Sequence, residues 1–278
     1  MCAAEARVIR GVQTPLDYAV ERLGELYRYR DLVYNLTRRD LTARYKGSFF
    51  GFLWSLFNPL LMMGVWTLLF TVLLPNNRIP NFPLFVLVGL LAWNLNASST
   101  MAGVTAITGN AGLVTRTRFP LEVLPVSVVL ANAVNFLLAL VAVIPFFAIA
   151  RAPISLSLLW LPAILVAQVA FSIGLALLLS TFQVYLRDTL MIVDTLVLAW
   201  MLLSPIFYRL EDLFPEYSRL MHILNPVSSF ITAYRVALYS GDYMDPLFIG
   251  RTLVQSALVL AIGFAVFWRL SPHFAETL

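Results

Sequence analysis

The chain of 278 residues is 60% hydrophobic and only 12% charged, and its mean hydropathy of +0.82 excludes a protein whose main solvent is water. Its 19 Lys and Arg against 15 Asp and Glu leave a net charge of +4, a modest surplus that reads as a topology signal and not as a nucleic-acid footprint. The single cysteine, Cys2, allows neither an intrachain disulfide nor a cysteine metal cluster.

Residues 1–48 are charged and lack the apolar region of a cleaved signal, so the first span is expected to act as its own insertion signal. Within this segment Leu16, Val20, Leu23, Tyr27, Tyr34 and Leu41 recur at helical spacing, with Glu21, Glu25, Arg28, Arg38 and Arg39 between them. The pattern predicts an amphipathic helix from Leu16 to about Asp40, either lying in the headgroup plane or packed on a soluble partner. A hydrocarbon core is crossed by roughly 20 apolar residues, and the charge-free run from Phe49 to Leu74 meets that length as the first span. Pro75, Asn76, Asn77 and Pro80 then mark a short loop.

The second span is predicted from Phe82 to about Ile107. Its later half carries Asn94, Asn96, Ser98, Ser99 and Thr100, which should face other helices or a water-filled path rather than lipid. A loop from Gly109 to Pro120 leads to the third span, Val123 to Ala150, and Arg151-Ala152-Pro153 connects it to the fourth, Leu156 to Phe182. After the polar loop Gln183 to Asp188 comes the fifth span, Thr189 to Tyr208. It holds Asp194, which at mid-span costs about 2.5–3.5 kcal/mol and should meet a partner or water. Between 209 and 251 two half-length apolar stretches, around Leu220 and from Phe230 to Leu238, are too short to cross and predict re-entrant or interfacial helices. The sixth span runs from Thr252 to Trp268. The expected fold is thus an all-α integral membrane domain with about six transmembrane helices. It divides into an N-terminal cytoplasmic or interfacial segment 1–48, spans one to five over 49–208, an extracytoplasmic segment 209–251, and a sixth span with tail over 252–278.

Orientation follows from the basic residues. Arg7, Arg10, Arg22, Arg28, Arg30, Arg38, Arg39, Arg44 and Lys46 precede the first span, and Arg116, Arg118, Arg187 and Arg269 fall on the same side of it. Only Arg78, Arg151, Arg209, Arg219, Arg235 and Arg251 fall on the other side, so both termini are predicted to be cytoplasmic.

The missing motifs narrow the chemistry. No G-x-x-x-x-G-K-[ST] phosphate loop frames Lys46, the only lysine, so ATP hydrolysis is not expected on this chain. His222 and His273 lie in different segments with no H-E-x-x-H, and no hydroxyl, histidine and acid trio can be assembled. No catalytic residue, metal site or bound cofactor is therefore assigned.

A series of polar clusters at span ends does stand out. Arg39-Asp40, Arg44-Tyr45-Lys46-Gly47-Ser48, Gly51, Trp54 and Asn58-Pro59-Leu60 surround the start of the first span. Arg118-Phe119-Pro120, Glu122 and Leu124-Pro125 follow, then Tyr185, Arg187-Asp188, Ser204-Pro205-Ile206-Phe207-Tyr208, Asn225-Pro226, Tyr234-Arg235, and Arg269 with Pro272-His273-Phe274-Ala275-Glu276. In this order, over almost the whole chain, they resemble the permease subunits of ATP-binding-cassette exporters for O-antigen, teichoic acid and related polysaccharides. Gln183, where that family often has asparagine or another small polar residue, and Ser271, where glutamate is common, are departures.

The resemblance implies a permease of the bacterial cytoplasmic (inner) membrane that pairs with a second copy of itself and with two copies of a cytoplasmic ATPase carrying ATP and Mg. Its substrate would be a polyprenyl-diphosphate-linked glycan. Arg38, Arg39, Arg44 and Lys46 would meet the diphosphate at the membrane entrance, or else only enforce topology and bind anionic lipid. Arg116, Arg118, Phe119, Pro120, Glu122, Arg187 and Asp188 would couple to the ATPase, with helix capping the alternative for Glu122 and Asp188. Trp54, Phe57, Trp66, Phe70, Trp93, Trp200, Phe207, Tyr208, Phe230 and Tyr234 would stack on sugar faces in a channel, or serve as interfacial and lipid-facing aromatics. Two rivals are an exporter of the same architecture for a drug or lipid, and an integral membrane enzyme acting on a lipid-linked substrate.

Overall fold

With almost no charge to solvate in each long run, the backbone must satisfy its own polar groups, and helices are the local solution. The computed structural model describes Gly24 and residues 28–47, 53–73, 79–116, 119–149, 155–213 and 215–278, and every regular element among them is helical. In chain order these are α1 (Arg30–Tyr45), α2 (Leu53–Leu68), α3 (Phe82–Val104), α4 (Ala111–Arg116), α5 (Val123–Ala142), α6 (Ile144–Ile149) and α7 (Leu161–Tyr185). They continue with α8 (Thr189–Leu203), α9 (Leu210–Leu213), α10 (Ser218–Leu224), α11 (Pro226–Arg235), α12 (Pro246–Leu270) and α13 (Phe274–Thr277).

Four stretches, Phe82–Val104, Val123–Ile149, Leu156–Tyr185 and Pro246–His273, are long and apolar enough to cross a membrane, and Phe57–Val72 and Thr189–Leu203 are shorter apolar helices. The boundaries shift for identifiable reasons. α2 passes directly into a π-helical turn, Leu69–Leu73. The third span breaks at Val143, because Pro145 in the following turn lacks an amide hydrogen and its ring crowds the carbonyl four residues back. The last helix starts at Pro246, not at the predicted Thr252. Asp245 caps it by accepting from the Leu247 amide at 2.9 Å, Pro246 suits the first turn, and Arg251 is carried inside the helix.

Of the predicted amphipathic helix, the residues before 24 lie outside the described ones, and α1 runs past the expected end at Asp40 to Tyr45. α1 lies parallel to the first half of α5. Thr37 Oγ1 donates to Ser127 O at 3.2 Å, Arg44 reaches Asn132, and Tyr45 hydrogen-bonds Asn135. Leu36 buries itself beside Val123, Leu124, Leu177, Val184, Phe267 and Phe274. This second core therefore ties α1, the start of α5, the end of α7 and the C-terminal turn to one end of the bundle. At the other end Tyr239 donates to Pro80 O and Ser157 to Asp242 O, which joins the connections before α3, before α7 and before α12.

The main core sits around α3, whose residues from Phe82 to Leu95 are almost all buried against α5, α7, α11 and Trp200 of α8, whose ring meets that of Trp93. α11 is buried along most of its length and packs next to α3. It is pinned from both ends. Trp200 Nε1 donates to Asn225 Oδ1 at 2.8 Å and Asn225 Nδ2 to Ser204 Oγ at 3.1 Å, while Arg235 donates to Ile206 O at 2.6 Å and to Pro205 O and stacks on Phe85. The Ser204-Pro205, Asn225-Pro226 and Tyr234-Arg235 pairs of the sequence thus form one hydrogen-bonded lock. α7 and α12 form the longest seam, closed where Gly174 and Gly263 face each other backbone to backbone.

Candidate functional site

Polar residues from four helices converge on one cavity. Arg44 and Tyr45 from α1, Trp54, Asn58 and Pro59 from α2, Asn94 and Ser98 from α3, and Asn132, Asn135, Phe136 and Ala139 from α5 line a space of about 270 Å³. Asn132 lies nine residues into α5, or about 14 Å from its start at a rise of 1.5 Å per residue, so the cavity reaches well into the bundle from the α1 end. Asn94 and Ser98 are four apart and turn toward this cavity, whereas Asn96 and Ser99 are fully buried on another face of α3. The polar half of the second span therefore serves both of the purposes its composition allowed.

Arg44 donates to Asn132 Oδ1 at 2.9 Å, makes no ion pair among the described residues, and is exposed. A guanidinium carries five N–H donors in a planar fork, so most of them remain open toward the cavity mouth. The asparagines supply carbonyl and amide groups but no carboxylate, so the site has no anion to compete with a bound phosphate.

The other three basic candidates do not join it. Arg38, Arg39 and Lys46 line a separate shallow groove with Asn35 and Thr42, and Arg39 is engaged by Asp40 at 3.0 Å and Asn110 at 3.1 Å. Such an exposed pair contributes about 0–1 kcal/mol, and it is the bond to Asn110 that ties α1 to the α3–α5 connection.

Of the coupling candidates, Arg118 and the side chain of Arg116 lie outside the described residues. Phe119 and Leu121 pack on the core that holds α1, and Pro120 is buried. Glu122 is only 4% exposed and occupies the cap position of α5. Its side chain makes no capping bond to the first turn, and its main-chain carbonyl accepts the first intrahelical bond, from the Val126 amide. Arg187 and Asp188 are exposed at the same end. The expectation that Asp188 caps α8 is corrected: its side chain makes no capping bond. Buried Gln183 does that work, bridging Arg187 O at 3.2 Å and the Leu190 amide at 2.9 Å, which explains why a longer side chain stands at this position. Asp194 is exposed and has no ion pair among the described residues.

The aromatics separate by depth. Trp93, Phe230 and Tyr234 are 4%, 0% and 1% exposed and belong to the core, with Tyr234 against Phe136 and Phe230 against Phe171. Trp66, Phe70 and Phe207 stack on one another within 6.1 Å. Tyr208 donates weakly to Leu203 O, and Trp200 belongs to the Asn225 lock. Trp54 and Phe57 meet edge to face at 5.7 Å and remain exposed, Trp54 on the cavity rim. Sequence reasoning missed Asn132 and Asn135, whose i, i+3 spacing within an apolar run was the available signal.

Residues 31–239 match the model of the ABC-2 type transporter family. The chain is 38% identical over 256 residues to the O-antigen export system permease protein RfbA of Myxococcus xanthus, covering 91% of this chain and 98% of the relative. It is 32% identical over 257 residues to a protein of the same name from Klebsiella pneumoniae, at 92% and 97% coverage, and 30% identical to another from that organism.

Proposed function

Because this chain belongs to the ABC-2 type transporter family, we propose that it is the membrane-spanning subunit of an ATP-driven exporter of polyprenyl-diphosphate-linked O-antigen glycan. One observation carries this reading to the level of chemistry. Arg44, its donors largely open, stands over a polar cavity walled by the middle turns of α3 and α5. A diphosphate enters there with its charge met by a fork of donors, while the glycan has hydroxyl-matching asparagines and the Trp54 face beside it.

In this reading the whole chain is one permease domain in the bacterial inner membrane, with both termini in the cytoplasm and residues 209–251 outside. A second copy covers the face of α8 on which Asp194 stands exposed among Met191, Leu198 and Leu202. Two copies of a cassette ATPase, which hold ATP and Mg, dock on the end formed by α1, the 109–120 connection and the Arg187-Asp188 turn. Closure of the ATPases then shifts the channel between closed and open populations. For topology, a cysteine at Ser218 should react with a membrane-impermeant thiol reagent in intact cells and one at Thr117 only after lysis. The reverse pattern inverts the orientation.

The experiment on function is co-purification. The tagged permease should retain a cassette ATPase, and changing Arg116 and Arg118 to Glu should release it or uncouple its hydrolysis, lowering glycan export about tenfold or more while the permease still inserts. ATP hydrolysis by the permease alone contradicts the reading, and catalytic turnover of a lipid-linked substrate by the isolated chain favours an enzyme instead.

A further inference from the structure

At the end of the bundle opposite Arg44 a second cavity, of about 530 Å³, opens between α10 and the first turns of α12. Its walls include two i, i+3 pairs, Arg219 and His222 on α10 and Phe248 and Arg251 on α12. His222 is 5% exposed, its ring meets Phe248 edge on at 5.3 Å, and its Nδ1 has no hydrogen-bond partner among the described residues. The Arg251 guanidinium lies 4.7 Å over the Phe248 ring, Nη2 reaches Ser229 Oγ at 3.4 Å, and buried Nε is likewise without a partner. Neither Arg219 nor Arg251 forms an ion pair among the described residues.

The two carboxylates in the same walls are already engaged. Glu211 Oε1 is 3.9 Å from His222 Nε2, and that imidazole, with buried Arg235 behind it, holds the Glu211 carboxyl below its usual range. Asp245 is spent on capping α12. What the cavity leaves open is a pair of guanidinia from two helices, Arg219 on α10 and Arg251 in the second turn of the 25-residue α12, with the buried His222 ring set against Phe248 beside them. The walls are rigid, because Gln255 of α12 donates to His222 O at 3.3 Å and Ile223 O at 3.1 Å.

We propose that this cavity is a phosphate-ester binding site, independent of the Arg44 cavity, in which Arg219 and Arg251 hold the phosphoryl oxygens and Phe248 backs the bound group. Donors converging from two helices suit a tetrahedral phosphoryl group better than a planar carboxylate. The phosphoryl group has two chemical sources, a lipid headgroup and a free phosphate ester, and both take the same contacts.

Calorimetric titration of the full-length permease in a maltoside detergent tests this with glycerol 3-phosphate and with dihexanoyl phosphatidylglycerol. Saturable binding of both, or of the lipid alone, supports the site, and the second result assigns it to headgroups. Arg251→Gln and Arg219→Gln should each weaken binding at least about tenfold, and Arg→Lys at either position should restore part of it. Arg219 is exposed, so its variant keeps the fold and decides the matter if the Arg251 variant does not purify. The proposal is overturned if neither probe binds, if glucuronate binds as tightly as glycerol 3-phosphate, or if Arg219→Gln binds like the wild type.

Discussion

Arg44→Gln should lower surface glycan by about tenfold to a hundredfold at unchanged permease level, because a charge-assisted contact to phosphate contributes about 1.5–3 kcal/mol and each 1.4 kcal/mol is a factor of ten. Glutamine keeps much of the length and can still hydrogen-bond Asn132, so α1 stays against α5 while the charge is lost. Arg44→Lys should recover part of the export, since a point charge cannot reproduce the bidentate fork. The paired change of Arg38 and Arg39 to Gln is the matched control. It removes twice the charge from the same helix but from the separate groove, and should cost less than threefold. Gel analysis of surface glycan, with immunoblotting of the permease, separates these outcomes. Equal losses in both variants would reduce Arg44 to a topology signal.

The second large effect is structural. At Gly263 an added Cβ would lie 2.0 Å from Gly174 O, and at Gly174 it would lie 2.5 Å from Leu260 Cα. These neighbours are backbone, with no flexible side chain to give way, so the α7–α12 seam must open. Close approach at small residues is what holds membrane helices together where no hydrophobic force acts between them, and overpacking costs about 1–3 kcal/mol or more. Gly263→Val should therefore abolish monodisperse protein after detergent extraction. Gly250→Ala on the same helix meets nothing within 4 Å and should leave it unchanged or slightly firmer, as Ala is the better helix former. Comparison by size-exclusion chromatography and thermal melting decides it, and a Gly263→Val protein that behaves like wild type would contradict the tight seam.

Four of the expected spans were legible as long apolar helices because lipid solvation leaves a coarse mark, a charge-free run of crossing length, that survives without knowledge of tertiary contacts. Their ends were less so. Arg251 looked like a boundary, yet a helix can carry an arginine whose guanidinium rests on Phe248, and Asp245 and Pro246 were the true start signals. Arg44 was visible in the sequence as a basic residue next to the first span. That Lys46, two residues on, leaves the cavity is a matter of helix ending: α1 stops at Tyr45 and the chain turns through Gly47 at φ 78°. Asn132 and Asn135 were hidden because a polar residue in a span announces that it has a partner, not which one, and the partner here depends on the parallel register of α1 and α5. Gln183 was visible only as a departure, its role as bridge across the α7–α8 turn being a three-dimensional one.

The most direct test of the account is ATP hydrolysis by the permease reconstituted with its cassette ATPase in liposomes, measured with and without polyprenyl-diphosphate-linked glycan. The wild-type complex should be stimulated several-fold by the glycan-lipid, and the Arg44→Gln complex, assembled to the same extent, should show its basal rate without that stimulation. A wild-type complex that ignores the glycan-lipid but responds to a drug or an ordinary phospholipid, or an Arg44→Gln complex stimulated as strongly as the wild type, would contradict it.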